Sequence, residues 1–118
     1  MSILHKELKS FGAAIKGLVH FFMTERHAMF HFIAMVTVIA AGCYFNISEW
    51  QWVAVIVAFG LVIGAEMLNT AIEKLCDMVE PEHHPRIAII KDISAGAVLF
   101  TALMAVAIAL IIFIPYCI

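Results

Sequence analysis

Charge is scarce in this chain. Only 14% of its 118 residues are Asp, Glu, Lys or Arg, where soluble domains carry about 25%. Apolar residues make up 64% and the mean hydropathy is +1.03, well beyond the roughly 45–50% apolar content of a soluble domain. That excludes a soluble globular fold and implies an integral membrane protein, in one short domain over 1–118 with no room for a soluble catalytic module. A secretory signal is also lacking: Lys6, Glu7, Lys9 and Lys16 fall in the first 20 residues, and no early apolar stretch ends in a small-residue cleavage site. Cysteine is sparse. Cys43, Cys76 and Cys117 are odd in number and widely spaced, so they fit neither a disulfide framework nor a zinc site; they read as buried free thiols.

What is present is helical periodicity. Leu4, Leu8, Phe11, Ala14, Ile15, Leu18 and Phe22 recur at helical spacing with Lys6, Lys9 and Lys16 elsewhere. The pattern predicts an amphipathic helix over about 3–23, lying on a membrane surface. Three spans follow, over about 28–45, 52–76 and 92–114, the last ended by Pro115. A polar turn with interfacial Trp50 and Trp52 joins the first two. A loop over 77–90, with Pro81, His83, His84 and Pro85, joins the last two. The fold class is therefore all-α integral membrane. Gly60 and Gly64, together with Ala95, Gly96 and Ala97, are expected to let spans approach closely. Gly12 to Gly17 has the glycine spacing of a phosphate-binding loop, but no Lys-Ser/Thr follows and no strand precedes.

The second span contains a polar stripe. Glu66, Asn69, Glu73 and Asp77 follow one another at spacings of 3, 4 and 4, which places them within about 60° of one helix face. An ionisable residue at membrane depth costs about 2.5–3.5 kcal/mol on insertion scales, so it marks a functional site by default. The bland alternative for Glu66 is an interhelical hydrogen bond in a structural bundle. For Glu25, Glu73 and Asp77 taken singly it is an interfacial charge.

Basic residues set the orientation. All seven Lys and Arg precede the first span or lie around the 77–90 loop, so the positive-inside rule predicts a cytoplasmic N-terminus and a cytoplasmic 77–90 loop. Glu66 then lies about 21 Å along the axis from Trp52, in the inner half of a core about 30 Å thick. Asn69, Glu73 and Asp77 lead from there to the cytosol, where Glu25, Lys91 and Asp92 also fall. Such a set suits a reaction between an inner-leaflet lipid and a charged cytosolic molecule. Carboxylates can hold Mg²⁺ with substrate phosphates, a lysine can neutralise phosphate charge, and a deeper carboxylate can take a proton from a lipid hydroxyl.

The segment EMLNTAIEKLCD (Glu66 to Asp77) resembles the signature of the prokaryotic diacylglycerol kinase family of small membrane lipid kinases, and every fixed position matches. KSF (Lys9 to Phe11), KGL (Lys16 to Leu18), TER (Thr24 to Arg26) and KDISAGAVL (Lys91 to Leu99) extend the resemblance over nearly the whole chain. HHP (His83 to Pro85), His31 and the ending IIFIP (Ile111 to Pro115) look more like the undecaprenol kinase branch. After Glu25-Arg26 the family often shows Asn, Phe and Arg or Gln; here stand His27, Ala28 and Met29.

The resemblance implies ATP- and Mg²⁺-dependent phosphorylation of a lipid alcohol, undecaprenol ahead of diacylglycerol, by a homotrimer with shared active sites. By motif position Glu66 is the implied general base and contacts the lipid with Lys6, Asn69 and Ala95. Glu25 and Glu73 are the implied Mg²⁺ ligands and approach ATP. Glu82, His83, His84, Lys91 and Asp92 are the implied nucleotide contacts, and Asp77 supports the loop end of the helix. Expected partners are ATP, the lipid alcohol and the membrane, with no nucleic acid. The expected location is the inner (cytoplasmic) membrane, multi-pass. The rival of another class is a small membrane subunit without catalysis.

Overall fold

The computed structural model describes residues 2–118, which form four helices: α1 (Ile3–Thr24), α2 (Arg26–Phe45), α3 (Glu49–Val79) and α4 (Pro85–Cys117). No strand occurs among the described residues. The helices α2, α3 and α4 are each long and apolar enough to cross a membrane. The chain divides into two compact units, one ending at Ile33 and the other Ala34–Ile118.

In the first unit, Ser2 caps α1: its hydroxyl accepts the His5 N–H at 3.2 Å, satisfying one of the orphan donors of the first turn. Only Glu25 separates α1 from α2. Its N–H closes α1 on the Phe21 carbonyl at 3.0 Å, and its carbonyl accepts the Ala28 N–H at 3.2 Å to open α2.

The second unit is built on an antiparallel pair, α3 and α4. At 1.5 Å per residue they extend about 46 and 50 Å, longer than a hydrocarbon core of about 30 Å. Three side-chain contacts record their register: Asp77 with Lys91, Asn69 with Ser94, and Gln51 with Tyr116. The chain reaches α3 from α2 through a tight stop. Asn46 takes φ 51°, a left-handed conformation that Asn tolerates better than branched residues. The Ile47 N–H reaches the Gly42 carbonyl (3.1 Å) and the Asn46 N–H the Cys43 carbonyl (3.3 Å), the paired bonds of a Schellman ending. Ile47 then turns inward to pack with Val55 and Ile112, joined by Trp52, Phe45 and Phe113.

Several boundaries differ from expectation. The turn over 46–51 is shorter because Ser48 and Gln51 form a capping box, each side chain bonding the other's backbone N–H, so α3 begins at Glu49. The loop over 77–90 contracts to Glu80–His84. His84 caps α4 through Nδ1, which accepts the Arg86 N–H at 3.1 Å, and Pro85 occupies the first helical position, where its missing N–H costs nothing. Pro115 does not end α4, which continues to Cys117. The last turn is held by Tyr116, whose ring stacks on Phe45 (centroids 5.5 Å apart) and whose hydroxyl donates to Gln51 Oε1 at 2.7 Å.

The cysteines also differ from expectation: Cys76 is buried, but Cys43 and Cys117 are exposed on the chain's surface. Nor do Gly60, Gly64 and Gly96 mediate close approach inside the chain; a Cβ at any of them would meet nothing within 4 Å. Close approach occurs at Gly42, where a Cβ would lie 2.6 Å from Cη2 of Trp52. Gly42→Ala must displace that ring, with an expected destabilisation of about 1–3 kcal/mol. Unfolding of the purified protein in detergent measures it, and an unchanged midpoint would mean the indole is not held against α2.

Candidate functional site

Helix α3 positions the stripe. Glu66 is buried, at 6% exposure, in the apolar middle of the helix. Asn69, Glu73 and Asp77 follow towards its C-terminal end, and Glu73 and Asp77 are exposed. Burial therefore falls along the stripe, from a buried carboxylate at Glu66 to exposed ones at Glu73 and Asp77. A group at Glu66 meets little water, whereas one at Glu73 meets charged solutes.

Two contacts join this stripe to α4. Asn69 Nδ2 donates to Glu73 Oε1 at 3.2 Å, one turn away, and Asn69 Oδ1 accepts the Ser94 hydroxyl at 2.7 Å. Ser94 itself is buried, at 7% exposure. One turn towards the loop, Lys91 Nζ donates to Asp77 Oδ1 at 2.5 Å in an ion pair. Both ends of that pair are partly exposed, so it contributes little to stability. Its effect is to hold the ammonium over the end of α3, leaving two further N–H donors for an anion.

The remaining expected site residues fall as follows. Asp92 and Ala95 lie on the first turns of α4 and are exposed. Glu82 and His83 are in the Glu80–His84 loop, where the Glu82 N–H reaches Glu80 Oε1 at 3.4 Å. His84 doubles as the helix cap, so Nδ1 is engaged and Nε2 is the nitrogen that can face a ligand. Lys6 is exposed on α1, and Glu25 is half-buried between α1 and α2; both belong to the N-terminal unit. The structure thus joins Asn69 to Glu73 and Asp77 to Lys91. It adds Ser94, which sequence reasoning missed; the one available signal was a hydroxyl in an apolar helix, three residues after Lys91.

The donor set bears on a metal. Among the described residues no three His, Cys, Asp or Glu side chains converge, so no all-protein cage is formed there. Mg²⁺ usually takes one or two carboxylates and completes its shell with waters and substrate phosphates. Glu73 offers hard oxygen, is exposed, and has its carboxylate oriented by an amide through Oε1. That fits a Mg²⁺–phosphate complex.

Comparison with known proteins adds the following. The family model described as prokaryotic diacylglycerol kinase matches residues 12–113. The chain is 36% identical to the undecaprenol kinase of Bacillus subtilis, over 95% of this chain and 91% of that protein. It is 33% identical to a diacylglycerol kinase of Synechocystis, over 92% of this chain and 62% of that protein. It is 28% identical to the diacylglycerol kinase of Escherichia coli, over 84% of this chain and 81% of that protein.

Proposed function

The chain belongs to the prokaryotic diacylglycerol kinase family, and from that premise we propose that it transfers the γ-phosphoryl group of ATP to a membrane lipid alcohol, undecaprenol. The observation that carries the reading is the graded stripe on α3: Glu66 buried in an apolar helix, with the Asn69–Glu73 pair and the Asp77–Lys91 pair towards the exposed end. A lipid hydroxyl and a nucleotide phosphate need these two environments at once.

Glu66 accepts the proton of the lipid hydroxyl as that oxygen attacks the γ-phosphorus. The bond to the β-γ bridging oxygen breaks, and ADP leaves with the bond's electron pair. Charge accumulates on the oxygens of the transferred group, so the chain's contribution there is positioning and electrostatic stabilisation. Lys91, steered by Asp77, faces the phosphates. Glu73 would hold Mg²⁺, which when bound would neutralise phosphate charge. Asn69 sets the Glu73 carboxylate, and Glu82, His83, His84 and Asp92 border the nucleotide. Ala95 borders the lipid.

Charge asymmetry supports an inner-membrane protein whose N-terminus and Glu80–His84 loop face the cytoplasm, where ATP is found. In this reading α1 lies along the membrane surface, because its apolar residues recur on one face. Many large apolar side chains of α4, among them Phe100, Leu103 and Ile111, are exposed on the single chain. That supports assembly into a homotrimer whose active sites are shared between subunits, with lipid covering the remainder.

The undecaprenol assignment rests on the similarity to the Bacillus subtilis enzyme over nearly the full length of both chains. Diacylglycerol is the second reading, favoured by the names of the other two relatives. Purified protein given Mg·ATP and each lipid in turn separates them. The expected result is faster phosphorylation of undecaprenol. A diacylglycerol rate more than about tenfold higher, a difference of roughly 1.4 kcal/mol in transition-state stabilisation, would reverse the order.

A further inference from the structure

Ser94 stands outside every role assigned so far, yet its hydroxyl on α4 meets the stripe on α3 at Asn69. We infer that Ser94 is a positioning residue for the metal–nucleotide site, acting through Asn69 on the Glu73 carboxylate. This rests on the reading of Glu73 as a Mg²⁺ ligand.

The Ser94 hydrogen bond runs away from its own backbone. A helical serine can donate to its own backbone one turn back. Thr101 on the same helix does so, giving its hydroxyl to the Val98 carbonyl at 3.0 Å. Ser94 instead sends its proton across the helix interface to Asn69 Oδ1, at 2.7 Å, from a buried position.

That proton decides which way the Asn69 amide faces. An Asn amide has one acceptor end and one donor end. With Oδ1 held by the Ser94 hydroxyl, Nδ2 must face Glu73, and it reaches Oε1 at 3.2 Å. The reversed amide would turn a carbonyl oxygen towards the carboxylate and leave the Ser94 proton facing a donor. Ser94 therefore sets the orientation of Asn69, and Asn69 that of Glu73. The order Ser94, Asn69, Glu73 runs from buried to exposed, so a fixed interior group orients a carboxylate that meets solutes. Groups that hold a ligating carboxylate in place typically alter metal affinity or activity by about 10–100-fold when removed.

Ser94→Ala removes the proton and gains helix propensity, so the fold is not put at risk by the helix itself. The test uses the full chain in detergent with Mn²⁺ and a non-hydrolysable ATP analogue, and reads bound Mn²⁺ by electron paramagnetic resonance. The expected result is about tenfold weaker Mn²⁺ binding in the presence of the analogue. In turnover assays the Mg·ATP requirement should rise in parallel, with the KM for lipid within about twofold of the parent value. In an Asn69→Ala background the same Ser94 substitution should have no further effect, because the connection is already cut. A merely structural serine would lower thermal stability and leave this pattern absent. Mn²⁺ binding within twofold of the parent, or an undiminished Ser94 effect in the Asn69→Ala background, overturns the inference while leaving a lipid-active parent enzyme intact. A parent protein that binds Mn²⁺ with the analogue but phosphorylates no lipid contradicts the proposed function instead.

Discussion

Glu66→Gln is expected to lower lipid phosphorylation by about 10²-fold or more, since general-base assistance contributes about 10²–10⁴-fold. Nucleotide affinity should stay within about threefold, because the substitution acts on the chemical step and not on ground-state binding. The shape of the side chain is nearly unchanged, so packing in the apolar stretch of α3 around Glu66 is preserved and the fold should survive. What is lost is the ability to accept a proton. Glutamine at this depth also removes an ionisable group whose placement is costly, so the variant should unfold no more readily than the parent. Rate and stability moving in opposite directions is the signature of a group retained for chemistry. Single-turnover measurements with saturating nucleotide separate the chemical step from binding, and equilibrium binding of a non-hydrolysable analogue checks the affinity. A rate within a fewfold of the parent would remove Glu66 from the role of base.

Glu73→Gln should behave differently. The amide can still accept a hydrogen bond from Asn69, so the local contact at 3.2 Å has a substitute, but the charge that would hold a divalent cation is gone. Loss of a ligating carboxylate should cost at least the roughly 10–100-fold that follows from losing its hydrogen-bonded support. It should appear chiefly as a raised requirement for Mg·ATP. Raising Mg²⁺ should restore part of the activity, because weaker cation binding is compensated by mass action. No such rescue is expected for Glu66→Gln. If nucleotide affinity fell equally in both variants, the division of the stripe into a proton-accepting end and a metal-binding end would be wrong.

Much of this site was legible in the sequence because a helix converts spacing into a face. Glu66, Asn69, Glu73 and Asp77 lie on one continuous helix, and regular 3.6-residue geometry is enough to align them. Hydropathy likewise located the three long apolar helices. The contacts between helices were not legible. Ser94 and Asn69 are 25 positions apart, and their meeting depends on the register of α3 against α4, which no local pattern encodes. The ends of helices were misjudged for a different reason. Ser48, His84 and Pro85 read as turn residues, but a Ser–Gln capping box and a proline at the first helical position are ways of starting a helix, and here they do so. Pro115 read as a stop because an interior proline removes a backbone bond. Here the disturbance falls in the last turn, which the contacts of Tyr116 with Phe45 and Gln51 hold.

Under the proposed function, the stripe's grading would let one helix serve two dissimilar substrates. Burial changes from Glu66 to Glu73 within seven residues, about 10 Å along the axis. A lipid hydroxyl need only reach the interface, and a nucleotide need not enter the membrane. The Asp77–Lys91 pair bridges α3 and α4 at the ends nearest the loop, so its ammonium is held at the same end of α3 as Glu73.

The most direct measurement is transfer of label from γ-labelled ATP into the organic phase, with purified protein, Mg²⁺ and undecaprenol, alongside the Glu66→Gln variant. The account predicts lipid-borne label with the parent protein and at least about a hundredfold less with the variant. Equal transfer by both proteins, or no transfer by the parent to either undecaprenol or diacylglycerol, would contradict it.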